Sequence, residues 1–431
     1  MNGQSGMPAG PAEEKMPDRR LDRQLRIPGW DQQALEGARI AVFGDDDLLA
    51  SLYVLSAAAL GLNNIVLIAP NWDRRLVETA RKVNPKLRLA LLEGLYTHPI
   101  LDEIFWPCTA MVDLTHYALA NKLLLEKAHR SGVPVIRGLC RQENGVEGLA
   151  IFTYQRGREW QELWDVVSPS NLPGRHFDDG ILDLVAAGIA LEETKNVLMG
   201  DRVSEDVIGY RRPKLEAGGA DASVAVVGAG ALGNFVGLGL AFAGVRSVAV
   251  IDPDVVDVTN LNRQVFLAGG IGRSKAEVLC ERLHSLFGIR AEARVAYFRK
   301  VTDLDASDVV FDCVDNFETR VILSEKCRAE GKVLISGGTG PQAGQVIVFD
   351  PERSGGTPAE VLGLHETVDR RAIDAFRRET ASCAYQPDPS VVMTNQIIGG
   401  LMVDAYRRLL AGEETPNTFY DSRNEARIFA E

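Results

Sequence analysis

Short apolar runs alternate along this chain with longer stretches whose apolar positions recur at helical spacing. The runs Val224 to Val227, Ser247 to Ile251, Val309 to Phe311 and Val333 to Ile335 read as strands, because continuous apolar character over so few residues suits a sheet covered on both faces. The helical stretches between them imply parallel strands joined by crossover helices. Two more uniformly apolar segments, Ile181 to Ala190 and Ile397 to Tyr406, read as long buried helices, one near the end of each half. The pattern predicts an α/β chain built from two tandem Rossmann-like domains, each a doubly wound, mostly parallel sheet.

The two halves resemble each other. Ala38-Arg-Ile-Ala-Val-Phe-Gly44 matches Ala222-Ser-Val-Ala-Val-Val-Gly228 at an offset of 184 residues, in each case an apolar strand running into a turn and then a helix. Further on, Met111 to Tyr117 matches Val310 to Asn316 at an offset of 199. The second copy therefore carries about fifteen extra residues, the difference of the two offsets, and they fall where Asn260-Leu-Asn-Arg-Gln264 and Lys275 lie.

Composition narrows the function classes. The chain has 431 residues, 46% of them hydrophobic, enough for two or three ordinary cores. A formal charge of -12 argues against a general nucleic-acid binder, which needs clustered Lys and Arg. Apolar runs are broken too often for a membrane span. Residues 1–18 are polar, without the apolar core of a secretion signal, and read as a disordered tail. Six cysteines are scattered without a C-x-x-C pair, so neither a zinc ribbon nor a disulfide framework is expected, and the cytoplasm is the default compartment.

Candidate chemistry sits in the second half. Gly228-Ala-Gly-Ala-Leu-Gly233 is a glycine loop with Gly228, Gly230 and Gly233 placed to let backbone amides approach phosphate. Alone it is weak evidence, since NAD enzymes share it. The residues after it decide the reading: Asp252 and Asp254, then Asn260, Arg263, Gln264 and Lys275, then Asp312-Cys-Val-Asp-Asn316 with Asp315 and Asn316. An NAD enzyme needs the acidic residue for ribose and nothing cationic downstream. Fixed cations beside a glycine loop suit a triphosphate under attack, where charge builds on phosphorus and pyrophosphate.

The first half lacks this set. Where the glycines should be it has Gly44-Asp45-Asp46-Asp47-Leu48-Leu49; Ala69 stands for Asp252 and His116 for Asp315. Two like charges about 5 Å apart repel by about 3 kcal/mol at an effective dielectric of 20, which disfavours a triphosphate there. It reads as a pseudo-site.

The pattern Asp-x-Asp-x-Val, Asn-Leu-x-Arg-Gln, Lys, Asp-Cys-x-Asp-Asn resembles that of the adenylyltransferases that activate ubiquitin and ubiquitin-like proteins, with their ThiF–MoeB-type relatives serving sulfur carriers. The match spans most of residues 19–412. The resemblance implies two fused adenylation domains, an inactive and an active one, forming an intrachain pseudo-dimer. It also implies ATP held by the glycines, Asp252 on ribose, and Asp254, Asn260, Arg263, Gln264, Lys275 and Asn316 around the nucleotide, with magnesium on Asp315. Family members take a further arginine from the opposite protomer, in an Arg-x-x-Arg-Gln motif before the first strand. Arg20-Leu-Asp-Arg23-Gln24 stands before the degenerate half only, so Arg23 is expected to serve the other half's site.

The implied partner is a ubiquitin-like protein ending in glycine, adenylated at its C-terminus and then passed to a cysteine. Cys383, in a polar crossover loop over residues 351–390, matches that cysteine's location; Cys280, Cys313 and Cys327 read as core, and Asp308 and Asp312 as structural. No zinc is expected, and docking of a conjugating enzyme has no visible counterpart after residue 412; a compact activator from a bacterial conjugation system fits both absences. The expected layout is a degenerate domain over 19–199, a linker over 200–219, an active domain over 220–412 and a tail over 413–431. Three other readings stay open: an adenylyltransferase for a sulfur carrier or peptide without a thioester, an NAD-binding oxidoreductase, and a non-catalytic scaffold.

Overall fold

The computed structural model describes residues 18–46, 48–98, 101–157, 167–168, 180–215, 222–304, 306–368 and 388–430. Two α/β sheets of like topology account for all the strands among the described residues. In the first, β1 (Arg39–Gly44), β2 (Asn64–Ala69), β3 (Arg88–Glu93), β4 (Ala110–Leu114), β5 (Val135–Glu143), β6 (Val146–Tyr154) and β7 (Ile208–Pro213) lie in the order β3-β2-β1-β4-β5-β6-β7. The second contains β8 (Val224–Val227), β9 (Ser247–Ile251), β10 (Arg290–Arg294), β11 (Val309–Asp312), β12 (Val333–Thr339), β13 (Ala343–Phe349), β14 (Thr418–Asp421) and β15 (Ile428–Ala430). Its order is β10-β9-β8-β11-β12-β13-β14-β15. In each, the first five strands are parallel and the later ones antiparallel.

The register repeats the duplication. Val42 pairs with Val112 in the first sheet, and Val226 pairs with Phe311 in the second, which are the same positions at offsets of 184 and 199. On the other side, Val42 opposes Leu67 and Val226 opposes Val250, which places Ala69 where the second half has Asp252.

The halves share one core. The helices Ile181–Met199 and Val392–Leu410 are buried along most of their length because each lies between the two sheets rather than capping one. They pack on one another and on Leu49–Leu60 and Ala231–Phe242, and a single apolar cluster runs from Leu35 to Ile428 through both halves. A buried polar contact fixes their relative position: Gln396 Nε2 donates to the Leu184 carbonyl at 2.9 Å.

Two stretches are more ordered than the sequence implied. Within residues 200–219, read as a linker, β7 forms the edge of the first sheet, pairing along β6 from Ile208 to Pro213. Within residues 413–431, read as a tail, β14 and β15 extend the second sheet, and Arg427 Nη2 donates to Glu193 Oε1 of the first half at 2.8 Å. Both were hidden by charged residues that turn out to be buried in ion pairs. Arg212 on β7 lies 2.7 Å from Asp404 of the helix Val392–Leu410 and 3.2 Å from Glu147, with all three side chains at most 3% exposed.

The described cysteines are buried and form no disulfide with one another. Burial pushes the Cys280 and Cys327 thiols up to about 12 and Cys108 up to about 11, so they are inert core residues. Cys383 lies outside the described residues, as do Asp47 and residues 369–387 of the crossover segment. Among the described residues no helix is long and apolar enough to cross a membrane.

Removing Asp404 leaves the Arg212 guanidinium buried with one carboxylate fewer across the junction between halves. Asp404→Ala should therefore lower unfolding free energy by about 3 kcal/mol, the usual cost of breaking a buried pair. Chemical denaturation followed by circular dichroism measures it; an unchanged midpoint would show that the ion pair does not hold the halves together.

Candidate functional site

The glycine loop leaves β8 at the end of the strand and enters the helix Ala231–Phe242. Gly228 has φ +101°, and a Cβ on Gly233 would sit 2.0 Å from the Gly228 carbonyl oxygen, so the turn closes only on glycine. Gly230 is the N-cap of the helix, and the first-turn amides face the open end of the sheet. Two polar residues hold this loop in place. Asp252, at the end of β9, accepts the Ala229 N–H at 2.7 Å and the Asp254 N–H at 2.8 Å. Asn234, fully buried, donates to the Ala229 and Gly230 carbonyls and accepts the Phe266 N–H at 2.9 Å. Burial pushes the Asp252 carboxyl up, against the pull of Lys275 and those N–H bonds.

The insertion peculiar to this half wraps over the loop. Asp257 and Asn260 form a capping box around the short turn Val258–Asn260, with Asn260 Oδ1 accepting the Asp257 N–H at 2.9 Å. Val256 and Arg273 then pair backbone to backbone, and the Lys275 N–H donates to the Asp254 carbonyl at 2.9 Å. This closed excursion returns Lys275 to Asp254, and their side chains meet at 2.8 Å. Lys275 opens the helix Lys275–Phe287, where the dipole disfavours a cation; the Asp254 carboxylate offsets that. Gln264 faces the glycine loop, its Nε2 3.8 Å from where a Gly230 Cβ would stand. Its Oε1 is buried with no hydrogen-bond partner among the described atoms.

Arg263 is the most constrained cation. It donates to the Thr259 carbonyl at 3.0 Å and to Asn262 Oδ1 at 2.7 Å, and only 6% of it is exposed. Burial, then the charge of Arg23, hold its guanidinium down to about 9; Asp315 and Asp22 pull the other way. Arg23 and Asp22 belong to the first half, so the structure brings the Arg-x-x-Arg-Gln segment to this site.

The way that segment is anchored follows from its residues. Arg20 donates to the Ala58 and Ala59 carbonyls at 3.3 and 2.7 Å, the last turn of the helix Leu49–Leu60, where carbonyls lack intrahelical partners. Gln24, fully buried, donates to the Leu60 carbonyl and to Gln32 while its Oε1 accepts from Asn262 Nδ2 at 3.1 Å. The same Asn262 nitrogen donates to the Ser390 carbonyl at 3.2 Å, and Arg23 Nη1 donates to the Asp388 carbonyl at 2.9 Å. One asparagine therefore joins the first half, the insertion and the end of the crossover segment.

Asn262 and Asn234 carry this geometry although sequence reasoning did not select them; both stand inside or directly after motifs already recognised. Asp315 is exposed at the start of the helix Phe317–Glu330, whereas Asn316 is that helix's N-cap, accepting the Thr319 N–H at 2.8 Å. Asp312 is structural as expected: it pairs with Arg320 at 3.5 Å and accepts the Ser336 hydroxyl at 2.6 Å. Asp308 is structural too, accepting the Ser223 N–H at 2.9 Å.

The equivalent place in the first half is filled. His116, at the position of Asp315, donates its backbone N–H to Asp45 at 2.6 Å, and its Nδ1 lies 3.1 Å from the same carboxylate. Burial and the neighbouring Asp183 push Asp46 up to about 6. Among the described residues, Asp45, Asp46 and His116 stand where the second half has Ala229, Gly230 and Asp315, and Ala69 stands for Asp252.

Comparison with known proteins finds a family resemblance over the second half. Residues 219–428 match the profile of the ThiF family. A sulfur carrier protein adenylyltransferase of Thermus thermophilus is 41% identical over 133 residues, covering 30% of this chain and 49% of that protein. The adenylyltransferase and sulfurtransferase MOCS3 of Sus scrofa is 31% identical over 245 residues, covering 51% of this chain and 48% of that protein. The chain thus spans about half the length of these relatives. Among solved structures, E. coli MccB with ATP is 19% identical with a TM-score of 0.41, covering 49% of this chain and 64% of that one. With the family profile falling on the half that holds the glycine loop, the inserted cations and Asp315, that half is a ThiF-family domain of the ThiF–MoeB-type superfamily.

Proposed function

We propose that this chain is an ATP-dependent adenylyltransferase that activates the C-terminal carboxylate of a small ubiquitin-like carrier protein and then takes the acyl group as a thioester on Cys383. The observation that carries this reading is the Gln24–Asn262 hydrogen bond at 3.1 Å, which sets Arg23 of the degenerate half within electrostatic reach of Arg263 beside the glycine loop. The adenylyltransferase activities named for the relatives support it.

The residues fit the nucleotide. A loop that closes only on glycine, a buried Gln264 oxygen without a partner and two mutually repelling guanidiniums make a cradle short of negative charge. Triphosphate supplies that charge. Lys275, already held by Asp254, needs only to swing from one anion to another. Asp315 is the residue that would hold magnesium, an ion that supplies charge neutralisation on the departing pyrophosphate.

The carrier's terminal carboxylate is ionised at neutral pH, so no general base is required. One of its oxygens forms a bond to the α-phosphorus, and the bond from that phosphorus to the bridging oxygen breaks, its electron pair leaving with pyrophosphate. Arg23, Arg263 and Lys275 stabilise the charge that develops, and the fixed loop aligns the reactants. The Cys383 thiolate then attacks the acyl carbon and AMP departs with the bonding pair. A second reading, in which the adenylate is handed on without a thioester, is favoured by the sulfur-carrier relatives. A conjugating enzyme is a partner under the first reading only.

The Arg263 shift gives a signed pH dependence. Triphosphate binds the charged guanidinium better, and that form persists below about 9. ATP affinity, measured calorimetrically, should be flat up to that pH and fall above it. Arg263→Gln should bind at least tenfold more weakly, with the fall absent; the same fall in that variant would move its cause to another group.

Carrier-dependent exchange of labelled pyrophosphate into ATP tests the reaction itself. Arg23→Ala should lower its rate by about 100-fold or more, the usual cost of one transition-state donor, with a small effect on the carrier's KM. Cys383→Ala should keep the exchange and lose a thiol-sensitive carrier adduct. Persistence of that adduct in Cys383→Ala excludes the thioester step as drawn, and a wild-type chain with exchange but no adduct selects the second reading. Nicotinamide binding without exchange would point to an oxidoreductase, and absence of nucleotide binding to a scaffold.

A further inference from the structure

The pseudo-site contains a group of side chains that the proposed reaction does not use. Asp45 and Asp46 stand where the second half has Ala229 and Gly230, and His116 stands for Asp315. All three are buried, and one ligand atom from each lies within 4.8 Å of the others.

Each residue is oriented by a backbone contact on one side. Asp45 Oδ2 accepts the His116 N–H at 2.6 Å. Asp46 Oδ1 accepts the Leu48 and Leu49 N–H groups at 2.9 and 3.0 Å, at the start of the helix Leu49–Leu60. His116 Nε2 accepts the Cys140 N–H at 3.3 Å. The remaining atoms converge: His116 Nδ1 is 3.1 Å from Asp45 Oδ1 and 3.9 Å from Asp46 Oδ2. Asp46 is 7% exposed, yet its Oδ2 has no hydrogen-bond partner among the described residues. A buried carboxylate oxygen left unpaired is costly, and Asp183 of the helix Ile181–Met199 brings another carboxylate close by.

We infer that Asp45, Asp46 and His116 form a binding site for a divalent transition-metal ion of the Zn2+ type, at the place where the working half binds phosphate. The second half's loop offers uncharged backbone amides, which suit an anion, whereas this one offers two carboxylates, which suit a cation. One imidazole nitrogen with two carboxylate oxygens suits Zn2+ or Co2+ better than Mg2+ or Ca2+, which take oxygen alone. The backbone contacts act as the outer shell that aims such ligands, and three protein ligands leave room for a water. Binding needs the Nδ1 lone pair, so the imidazole proton resides on Nε2 in the bound state and the long Cys140 contact is given up. Two hydrogen bonds, the long one from Cys140 and the Nδ1–H bond to Asp45 at 3.1 Å, are exchanged for a divalent charge placed on two buried carboxylates. The absence of C-x-x-C pairs has no bearing on this site.

The test uses the full chain, stripped with a chelator, re-exposed to Zn2+ or Co2+ and freed of unbound metal. Elemental analysis should find one ion per chain, and the cobalt form should show visible ligand-field bands without a thiolate-to-cobalt charge-transfer band. Asp46→Asn, close in shape, and His116→Ala should each weaken Zn2+ binding at least tenfold in competition with a chelating dye, while Asp315→Asn in the other half should not. The cobalt spectrum of the wild-type chain reads the ligand set even if a variant fails to fold. No retained metal, a thiolate band, or equal binding by both first-half variants overturns the inference.

Discussion

Two guanidiniums from opposite halves, Arg23 and Arg263, are kept within reach of each other's charge while one of them is buried. Like charges do not gather in a low-dielectric place unless the surrounding structure imposes it. Here it is imposed from two directions. The shared core around Ile181–Met199 and Val392–Leu410 locks the halves together, and the chain Leu60, Gln24, Asn262, Ser390 carries the first half's N-terminal segment onto the second half's insertion. The unfavourable pair is the feature that most needs an anion.

Duplication followed by divergence explains why only one half has this property. Both halves keep a buried arginine–aspartate pair beneath the site, and its construction differs. In the second half Arg320, on a helix, pairs with Asp312 and donates to Ser336 on β12. In the first half the guanidinium has moved to the strand: Arg137 on β5 pairs with Asp113 and donates to Asn121. Asn121 and Arg320, like Arg137 and Ser336, are 199 residues apart, so donor and acceptor have exchanged places while the buried charge stayed compensated. The scaffold was preserved through this swap, whereas the loop above it changed from glycines to carboxylates.

Much of this was legible in the sequence because strand runs, glycine loop and offset register are local patterns. The offsets recur as strand register at Val42 with Val112 and Val226 with Phe311. β7 and the last two strands were not legible, since Tyr210, Arg212 and Arg427 look like solvent-facing residues until Asp404 and Glu193 are placed opposite them. The roles of Asn262 and Asn234 depend on partners 238 and 32 residues away, which no periodicity reveals. Asp252 and Asn316, chosen as ligand residues, also hold the loop and cap a helix.

The central claim, that the degenerate half supplies a cation to its twin within one chain, is tested most directly by a crystal structure with a non-hydrolysable ATP analogue. Triphosphate is expected over Gly228 to Gly233, with the Arg23 guanidinium of the same chain about 3 Å from a phosphate oxygen. Phosphates lodged beside Asp45 and Asp46, or an Arg23 turned away from the bound nucleotide, would contradict it.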